Sequence, residues 1–233
     1  GTNGKTTTSY LMRAAIASRF PKASLCGTVE THVGPISFEA VRTTAEAPVI
    51  ARILAATEEY ECGAGIIELS AHALSLHRVD GIVFDVAAFT NLQHDHLDYY
   101  GNMENYFQAK ALLFTPEHSR RGVVCVDDEW GRRLAQQATV PVTTVSALTE
   151  EDADWQVRDV TPDQTIGRTV FTLVDPSGTG HRVAMPILGE VNIQNTAVAI
   201  VSAVSLGIDL ADVISAIEDA PQIPGRMEKV NPT

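Results

Sequence analysis

The chain has 233 residues, of which 45% are hydrophobic and 20% are charged, so it suits one large domain with a substantial core and excludes a disordered chain. The net charge is −12 and the pI is near 4.9. A chain with this charge balance lacks the excess of positive charge that a general nucleic-acid binder has. There is no run of about 18 apolar residues that would predict a membrane span. The three cysteines, Cys26, Cys62 and Cys125, follow no metal-binding spacing, and we expect buried free thiols in a reducing cytosol.

The first predicted element is a loop that enters a helix. Residues 1–6, Gly-Thr-Asn-Gly-Lys-Thr, contain the Gly-x-x-Gly-Lys-Thr part of a phosphate-binding loop, and apolar residues at helical spacing follow from Thr7. In such a loop the glycines bring backbone N–H groups close to phosphate oxygens, Lys5 reaches the terminal phosphates and the Thr6 hydroxyl ligates Mg²⁺. A chance glycine-rich turn is the alternative. Because a loop of this kind normally follows a strand, we expect that the chain is cut from a longer protein at the loop.

Strands and helices then alternate along the chain, which favours parallel βαβ units. The predicted strands are 63–69, 81–90 and 122–126, and the helices between them are 48–60, 103–114 and 128–137. An antiparallel insertion is predicted at about 153–187, where polar and apolar residues alternate. Two helices follow, at 192–206 and 210–220. The predicted fold class is α/β, a P-loop-type mostly parallel sheet flanked by helices, with a small antiparallel β hairpin or meander.

Ionisable residues follow two of the predicted strands. Glu68 ends the first strand, where a carboxylate is costly unless it is paired or bound to a metal. Two histidines and two aspartates lie within residues 94–98, after the second strand. Ligands bind at the carboxyl ends of strands in open parallel sheets, so we expect these loops and the first loop along one edge of the sheet. A structural acid remains the alternative for Glu68, and the spacing does not say which histidine binds metal.

Lys110 lies on the apolar face of its predicted helix, in a stripe with Met103, Phe107 and Phe114. Two interpretations are open. The lysine extends from the edge of the stripe to solvent, or it is desolvated with a lowered pKa. A neutral amine can add CO₂ to form a carbamate, which is an anionic oxygen ligand suited to Mg²⁺.

Four further segments carry weaker signals. The polar loop 42–48 enters a helix and suits either anion contacts or helix capping. Arg78 suits either a bound carboxylate or a pair with Asp80. Residues 192–195 begin a helix and suit either capping or contact with a purine. Arg226 follows a turn, where an arginine is more often solvated than functional.

Together these stretches resemble the central ATPase domain of the Mur ligases, and most closely the MurE type, the UDP-N-acetylmuramoyl-tripeptide synthetases. The block Phe-Thr-Asn-Leu-x-x-Asp-His-Leu-Asp-Tyr at 89–99, with the later Ala-Lys-x-Leu-Leu-Phe at 109–114, is highly specific. The resemblance covers nearly the whole chain. Its other motifs are 1–7, 42–48, 68–79, 127–133, 189–195 and 225–228.

The resemblance implies an ATP-dependent ligase of peptidoglycan precursor synthesis, with ATP and Mg²⁺ as cofactors. Such an enzyme adds a diamino acid, meso-diaminopimelate or L-lysine, to UDP-N-acetylmuramoyl-L-alanyl-D-glutamate through an acyl phosphate. It implies a monomeric cytoplasmic enzyme with small-molecule substrates and neither nucleic-acid nor membrane partners. The family's N-terminal UDP-binding domain and C-terminal amino-acid domain are expected to be absent from residues 1–233. We therefore expect that these residues alone bind nucleotide weakly and do not complete ligation.

The resemblance also implies a set of site residues. The ATP-binding residues are Gly1, Thr2, Asn3, Gly4, Lys5, Thr6, Thr7, Asn195 at the adenine, and Arg226 at the phosphates. The metal ligands are Thr6, Glu68, His96 and carbamylated Lys110. The contacts to the nucleotide sugar are Thr43, Thr44, Ser70 and Arg78. Lys5, Lys110 and His96 are the implied catalytic residues.

The sequence departs from the family pattern at four positions. Ala71 replaces a serine, Leu76 a glutamine, His94 an arginine and Tyr100 a histidine. These changes concern the fine contacts to the UDP-sugar peptide rather than the phosphate and metal chemistry. The alternatives are a related ligase, such as folylpolyglutamate or cyanophycin synthetase, and a nucleotide-binding regulatory module without ligase activity.

Overall fold

The computed structural model describes residues 1–163 and 167–221. Its helices are α1 (Lys5–Ala15), α2 (Ala47–Glu59), α3 (Ala71–Ser75), α4 (Leu97–Tyr100), α5 (Met103–Ala111), α6 (Glu129–Gln137), α7 (Glu190–Ser205) and α8 (Leu210–Glu218). A 3₁₀ turn at Leu112–Phe114 continues α5. The strands are β1 (Ser24–Cys26), β2 (Glu30–Val33), β3 (Ile36–Glu39), β4 (Gly65–Ile67), β5 (Ala87–Phe89), β6 (Gly122–Cys125), β7 (Val142–Ser146), β8 (Trp155–Asp163), β9 (Arg168–Val174) and β10 (Gly180–Met185).

The strands form two sheets, and each has parallel pairing toward one edge and antiparallel pairing toward the other. One sheet has the order β3-β2-β1-β4 and the other has the order β10-β9-β8-β7-β6-β5. The β1–β4 pair and the run from β5 to β8 are parallel. The β2–β3 hairpin and the β8–β10 meander are antiparallel. The predicted α/β fold class, with its antiparallel meander, is confirmed.

The sequence analysis did not predict several short elements. They are β1, β2, β3, β7, α3 and α4. Strand β1 has only three residues, and β3 has only four, all of them exposed, so neither forms a long apolar pattern. In the stretch 81–90, which was predicted as one strand, only Ala87–Phe89 pairs as a strand, while Phe84 makes an isolated bridge to Ser119.

The core lies on both faces of the larger sheet. Along β6, Val123 and Cys125 pack into the apolar cluster beneath α1, α7 and α8, whereas Val124 packs into the cluster with α5 and α6. Burial on both faces explains why this segment is a continuous apolar run. The three cysteines are buried free thiols, as predicted. Among residues 1–163 and 167–221, no helix is both long and apolar enough to span a bilayer.

Candidate functional site

The first loop crosses the carboxyl end of β5 and enters α1. The Thr2 amide donates to the Asn91 carbonyl at 2.8 Å, and the Asn3 amide donates to the Asn91 side chain at 2.9 Å. Gly4 caps α1 in the left-handed region with a φ of 83°, and a Cβ there would lie 2.0 Å from Asn195 Oδ1. Only glycine fits this position without strain or overlap. The backbone therefore turns tightly and presents the N-terminus of α1 at this edge of the sheet, as an anion-binding loop requires.

Two lysines converge on the carbonyl groups of this loop. Lys5 Nζ donates to the Thr2 carbonyl at 2.7 Å and to the Gly1 carbonyl at 3.2 Å. Lys110 Nζ donates to the same Gly1 carbonyl at 3.1 Å. Two basic side chains therefore meet at one carbonyl of the loop, where positive charge would attract a polyanion.

Lys110 is buried, with only 5% of its surface exposed, so its amine does not reach solvent as the first interpretation requires. Its Nζ lies 4.5 Å from the centre of the Tyr106 ring, and the Tyr106 hydroxyl is 3.3 Å from Thr2 Oγ1. Desolvation, assisted by the nearby charge of Lys5, lowers the pKa of Lys110 to about 7. A substantial neutral fraction therefore exists near neutral pH.

Glu68 lies beside Thr6, as the sequence predicted. Its carboxylate is buried and accepts from Thr6 Oγ1 at 3.1 Å, from Ser9 Oγ at 3.3 Å, and from the amide and hydroxyl of Thr28 at 3.1 and 2.9 Å. These donors are all neutral hydroxyl and amide groups, and they surround the carboxylate. A buried carboxylate next to a threonine hydroxyl is the oxygen donor set that Mg²⁺ prefers.

His96 lies apart from that pair, in a cluster of rings. It begins α4 with a φ of 53° and is exposed, and its ring centre is 4.9 Å from that of His72 and 5.8 Å from that of Tyr106. Burial lowers the pKa of His72, and the nearby His96 lowers it further. Within the two described ranges, no group of three or more histidine, cysteine, aspartate and glutamate side chains is placed to hold a metal ion. The role of His96 as a metal ligand stays a prediction.

The predicted sugar-contact residues form one connected group next to Glu68. Thr44 Oγ1 donates to the Glu68 carbonyl at 2.7 Å and accepts from the Ser70 amide at 3.0 Å. Arg78 pairs with Glu46 at 3.0 Å and donates to the Thr44 carbonyl, so the alternative of a pair with Asp80 was wrong. The buried Nε of Arg78 has no hydrogen-bond partner among the described residues.

Thr43 completes this group, because its hydroxyl accepts from Thr28 Oγ1 at 3.2 Å. The structure thus brings together Thr43, Thr44, Ser70 and Arg78 with Glu68. Asn195 is buried beneath the first loop, where it accepts from Thr8 Oγ1 at 3.4 Å. Arg226 lies outside the described residues.

Sequence reasoning missed a polar chain that links the first loop to the larger sheet. Asn91 donates to Gln194 at 3.2 Å, and Gln194 donates to Asp127 at 3.0 Å. Asp127 also accepts from the amides of Ala147 and Leu148. Thr28, the double donor to Glu68, was missed as well. Its position just after a strand was the available signal, but that strand is three residues long.

A glycine-rich loop lies at a helix N-terminus and at the carboxyl ends of parallel strands, and two lysines donate to its carbonyl groups. These features define an α/β domain of the phosphate-loop type. The sequence profile of the Mur ligase middle domain matches residues 1–203. The chain therefore belongs to the Mur ligase family.

Named relatives agree with this membership. The chain is 46% identical over 236 residues to a UDP-N-acetylmuramyl-tripeptide synthetase of Leifsonia xyli subsp. xyli. It is 43% identical over 233 residues to a UDP-N-acetylmuramoyl-L-alanyl-D-glutamate–2,6-diaminopimelate ligase of Streptomyces coelicolor. Each alignment covers 99% of this chain and 45% of the relative. The chain thus spans slightly less than half the length of these curated relatives.

A solved structure is similar throughout the chain. It is that of a UDP-N-acetylmuramoyl-L-alanyl-D-glutamate–2,6-diaminopimelate ligase, with a TM-score of 0.84 and 28% identity. The alignment covers 100% of this chain and 47% of that one. The similarity in fold therefore extends over every element described above.

Proposed function

We propose that this chain is the ATP-binding domain of a cytoplasmic, monomeric ligase that adds a diamino acid to UDP-N-acetylmuramoyl-L-alanyl-D-glutamate. The observation that carries the proposal is the convergence of Lys5 and Lys110 on the first loop, next to the Thr6–Glu68 pair. The amine of Lys5 and the oxygen atoms of Thr6 and Glu68 are therefore all held at the first loop and the helix that follows it. The relatives' names supply the substrate class, and the amino acid, diaminopimelate or lysine, is selected outside this domain.

In this proposal the chain's own groups position and neutralise the nucleotide. Backbone N–H groups of residues 1–7 and the amine of Lys5 bind the phosphates of ATP, and Asn195 and Arg226 contact the adenine and phosphates. Catalysis by such groups consists mainly of positioning and charge stabilisation. Thr6, Glu68, His96 and carbamylated Lys110 would hold Mg²⁺, which supplies neutralisation of phosphate charge when it is bound.

The burial of the Lys110 amine and the nearby charge of Lys5 favour formation of a carbamate at Lys110. The lone pair of the neutral Nζ attacks the carbon of CO₂, a C–N bond forms while one C=O π bond breaks and leaves its electron pair on oxygen, and one N–H proton leaves to solvent. The product is an anion beside the amine of Lys5, so attraction replaces the repulsion between two cationic amines. The new carboxylate also supplies an oxygen ligand near the first loop.

In this proposal, ligation proceeds in two steps. The substrate carboxylate attacks the γ-phosphorus of ATP, which breaks the bond to the β-phosphate oxygen and releases ADP. The amine of the diamino acid then attacks the acyl phosphate, phosphate leaves and the amine loses a proton. Thr43, Thr44, Ser70 and Arg78 are proposed to hold the nucleotide sugar.

The test uses the full-length protein that contains this domain. ADP release over many turnovers should require the UDP-muramoyl dipeptide and the diamino acid together, because only the amine discharges the acyl phosphate. Lys110→Ala should lower kcat by at least about 100-fold, and acetate or bicarbonate should restore part of it. Lys22→Ala, at an exposed lysine, is the matched control and should leave kcat unchanged.

Each other outcome contradicts a defined part of the proposal. Full activity in Lys110→Ala would dismiss the carbamate. ADP release that depends on a folate and glutamate instead would favour the folylpolyglutamate alternative. Nucleotide binding without turnover would favour a regulatory module. Amide product from residues 1–233 alone would contradict the need for further domains.

A further inference from the structure

A chain of buried side-chain amides connects the first loop to a carboxylate that follows β6. Asn91 Oδ1 accepts from the Asn3 amide at 2.9 Å, and Asn91 Nδ2 donates to Gln194 Oε1 at 3.2 Å. Gln194 Nε2 then donates to Asp127 Oδ2 at 3.0 Å. Asn91 and Gln194 are both buried, so their polar groups depend on these partners.

Asp127 is anchored by the loops at the carboxyl ends of β6 and β7. Its Oδ1 accepts from the amides of Ala147 and Leu148 at 2.9 and 3.1 Å. Its Oδ2 accepts from the Cys125 thiol at 3.1 Å as well as from Gln194. Burial alone would raise the pKa of Asp127, but these donors outweigh burial, and the pKa lies below its ordinary value. The carboxylate is therefore ionised at neutral pH and accepts at both oxygens.

The two ends of this chain of hydrogen bonds fix the direction of every amide in it. An ionised carboxylate only accepts hydrogen bonds, and a backbone N–H only donates them. The NH₂ group of Gln194 therefore faces Asp127, which turns the Gln194 carbonyl toward the NH₂ group of Asn91. The carbonyl oxygen of Asn91 then faces the Asn3 amide, which needs an acceptor. Asn91 Nδ2 also donates to the Asn3 carbonyl at 3.3 Å, so both backbone polar groups of Asn3 match this orientation.

The orientation of Asn91 matters because this residue holds the turn that leads into α1. Its backbone carbonyl accepts from the Thr2 amide at 2.8 Å, and its side chain bonds to both backbone groups of Asn3. If the Asn91 amide were reversed, its NH₂ group would face the Asn3 N–H and its oxygen would face the Asn3 carbonyl. Two favourable contacts would become two repulsive ones. The turn before Gly4, which sets where the N-terminal amides of α1 point, would then be displaced.

We propose that Asp127 and Gln194 are positioning residues of the ATP site: the carboxylate of Asp127 sets the direction of the Gln194 and Asn91 amides, and this direction holds the first loop in the shape that binds phosphate. The inference rests on the proposed function, because it requires that the first loop binds the phosphates of ATP. It goes beyond that function by assigning a role to two residues that act through Asn91.

Two single variants of the full-length protein that contains this chain reverse one polar group each. In Asp127→Asn the remaining oxygen satisfies the Ala147 and Leu148 amides, so the new NH₂ group faces the NH₂ group of Gln194. In Gln194→Glu the new carboxylate faces that of Asp127. Each variant should weaken the binding of MgADP, measured by titration calorimetry, by at least about 10-fold. Each should also speed hydrogen exchange at the amides of residues 2–4 by at least about 10-fold.

The double variant Asp127→Asn/Gln194→Glu should restore the original direction. The new amide at position 127 donates to the new carboxylate at position 194, whose second oxygen accepts from Asn91. The double variant should bind MgADP within about 3-fold of the parent, whereas independent effects of the two changes would multiply to about 100-fold. Asp219→Asn and Gln136→Glu make the same chemical changes at exposed positions and should leave binding unchanged.

Three results would contradict the positioning role of Asp127 and Gln194. A double variant as weak as the product of the single variants would show that the two groups act without a set direction. Unchanged binding in both single variants would overturn the inference and leave the proposed function intact. Faster exchange throughout β6 and β7 in the single variants, without recovery in the double variant, would show a general structural role instead. A parent protein that does not bind MgADP would overturn the proposed function itself, and this inference with it.

Discussion

At the scale of single residues, the burial of Lys110 has a measurable consequence for stability. Its pKa is about 7 in the folded chain because of desolvation and the charge of Lys5, against an ordinary value of 10.5. Between about pH 7 and pH 10 the unfolded chain therefore binds more protons at this site than the folded chain. The free energy of unfolding should rise with pH across this window.

Lys110→Met should remove that dependence. We expect the variant to be more stable than the parent below about pH 7, by an amount on the order of a few kcal/mol, and the difference to shrink toward pH 10. Urea unfolding at closely spaced pH values measures this. Lys22→Met, at an exposed position, should follow the parent at every pH. A Lys110→Met profile parallel to that of the parent would show that the buried amine keeps its ordinary pKa.

The residues of the candidate site differ in how far the sequence could locate them. Lys5, Thr6 and Glu68 were found because a motif or an acid at a strand end marks them. Thr28 and Gln194 were not, because a threonine after a three-residue strand and a glutamine within a helix carry no chemical signature. Their importance arises only when the fold brings Thr28 to Glu68 and Gln194 to Asp127.

At the scale of elements, α6 contains a glycine that helix propensity alone would discourage. Gly131 lies in the first turn of α6, and a Cβ there would approach the Cys125 backbone carbonyl oxygen to 1.9 Å. That oxygen belongs to β6, which pairs with a strand on each side and cannot move freely. The glycine therefore allows the helix to pack closely against the sheet.

Gly131→Ala should consequently destabilise the chain. Propensity predicts a gain of about 1 kcal/mol for this change. We expect a loss of about 1–3 kcal/mol instead, because overpacking against backbone outweighs propensity. Gln136→Ala, at an exposed position of the same helix, should change stability by less than about 0.5 kcal/mol. Chemical denaturation measures both, and a stabilised Gly131→Ala chain would show that α6 can move away from β6.

The elements that the sequence predicted are those with long periodic patterns. Helices α2, α5, α6, α7 and α8 agree with their predicted ranges to within a few residues. The β2–β3 hairpin was missed because its strands have only four residues each, which is too short for an alternation to stand out from the sequence. Strand β7 was missed because three of its five residues are only partly buried and two are threonines.

At the scale of the whole molecule, the net charge of −12 opposes the binding of a polyphosphate. Two features of the described chain act against that field locally. The amine of Lys5 lies at the first loop, and the N-terminus of α1 points its backbone dipole at the same position. The nearby carboxylate of Glu68 adds negative charge, so a divalent cation bound with the nucleotide should contribute strongly to affinity.

Nucleotide and Mg²⁺ should therefore stabilise this chain together more than either does alone. At a concentration 100 times its Kd, a ligand of the folded state contributes about 2.7 kcal/mol, which raises the unfolding midpoint of a chain of this size by about 5–10 °C. Thermal unfolding with ATP, Mg²⁺ or both measures the shift.

Lys5→Gln should abolish the shift of the unfolding midpoint. Thr6→Val should keep the smaller shift from ATP alone and lose the increment from Mg²⁺, because the Thr6 hydroxyl is the group placed beside Glu68. Thr139→Val, at an exposed threonine, controls for the substitution itself. A full Mg²⁺ increment in Thr6→Val would place the cation elsewhere and contradict the proposed ligand set.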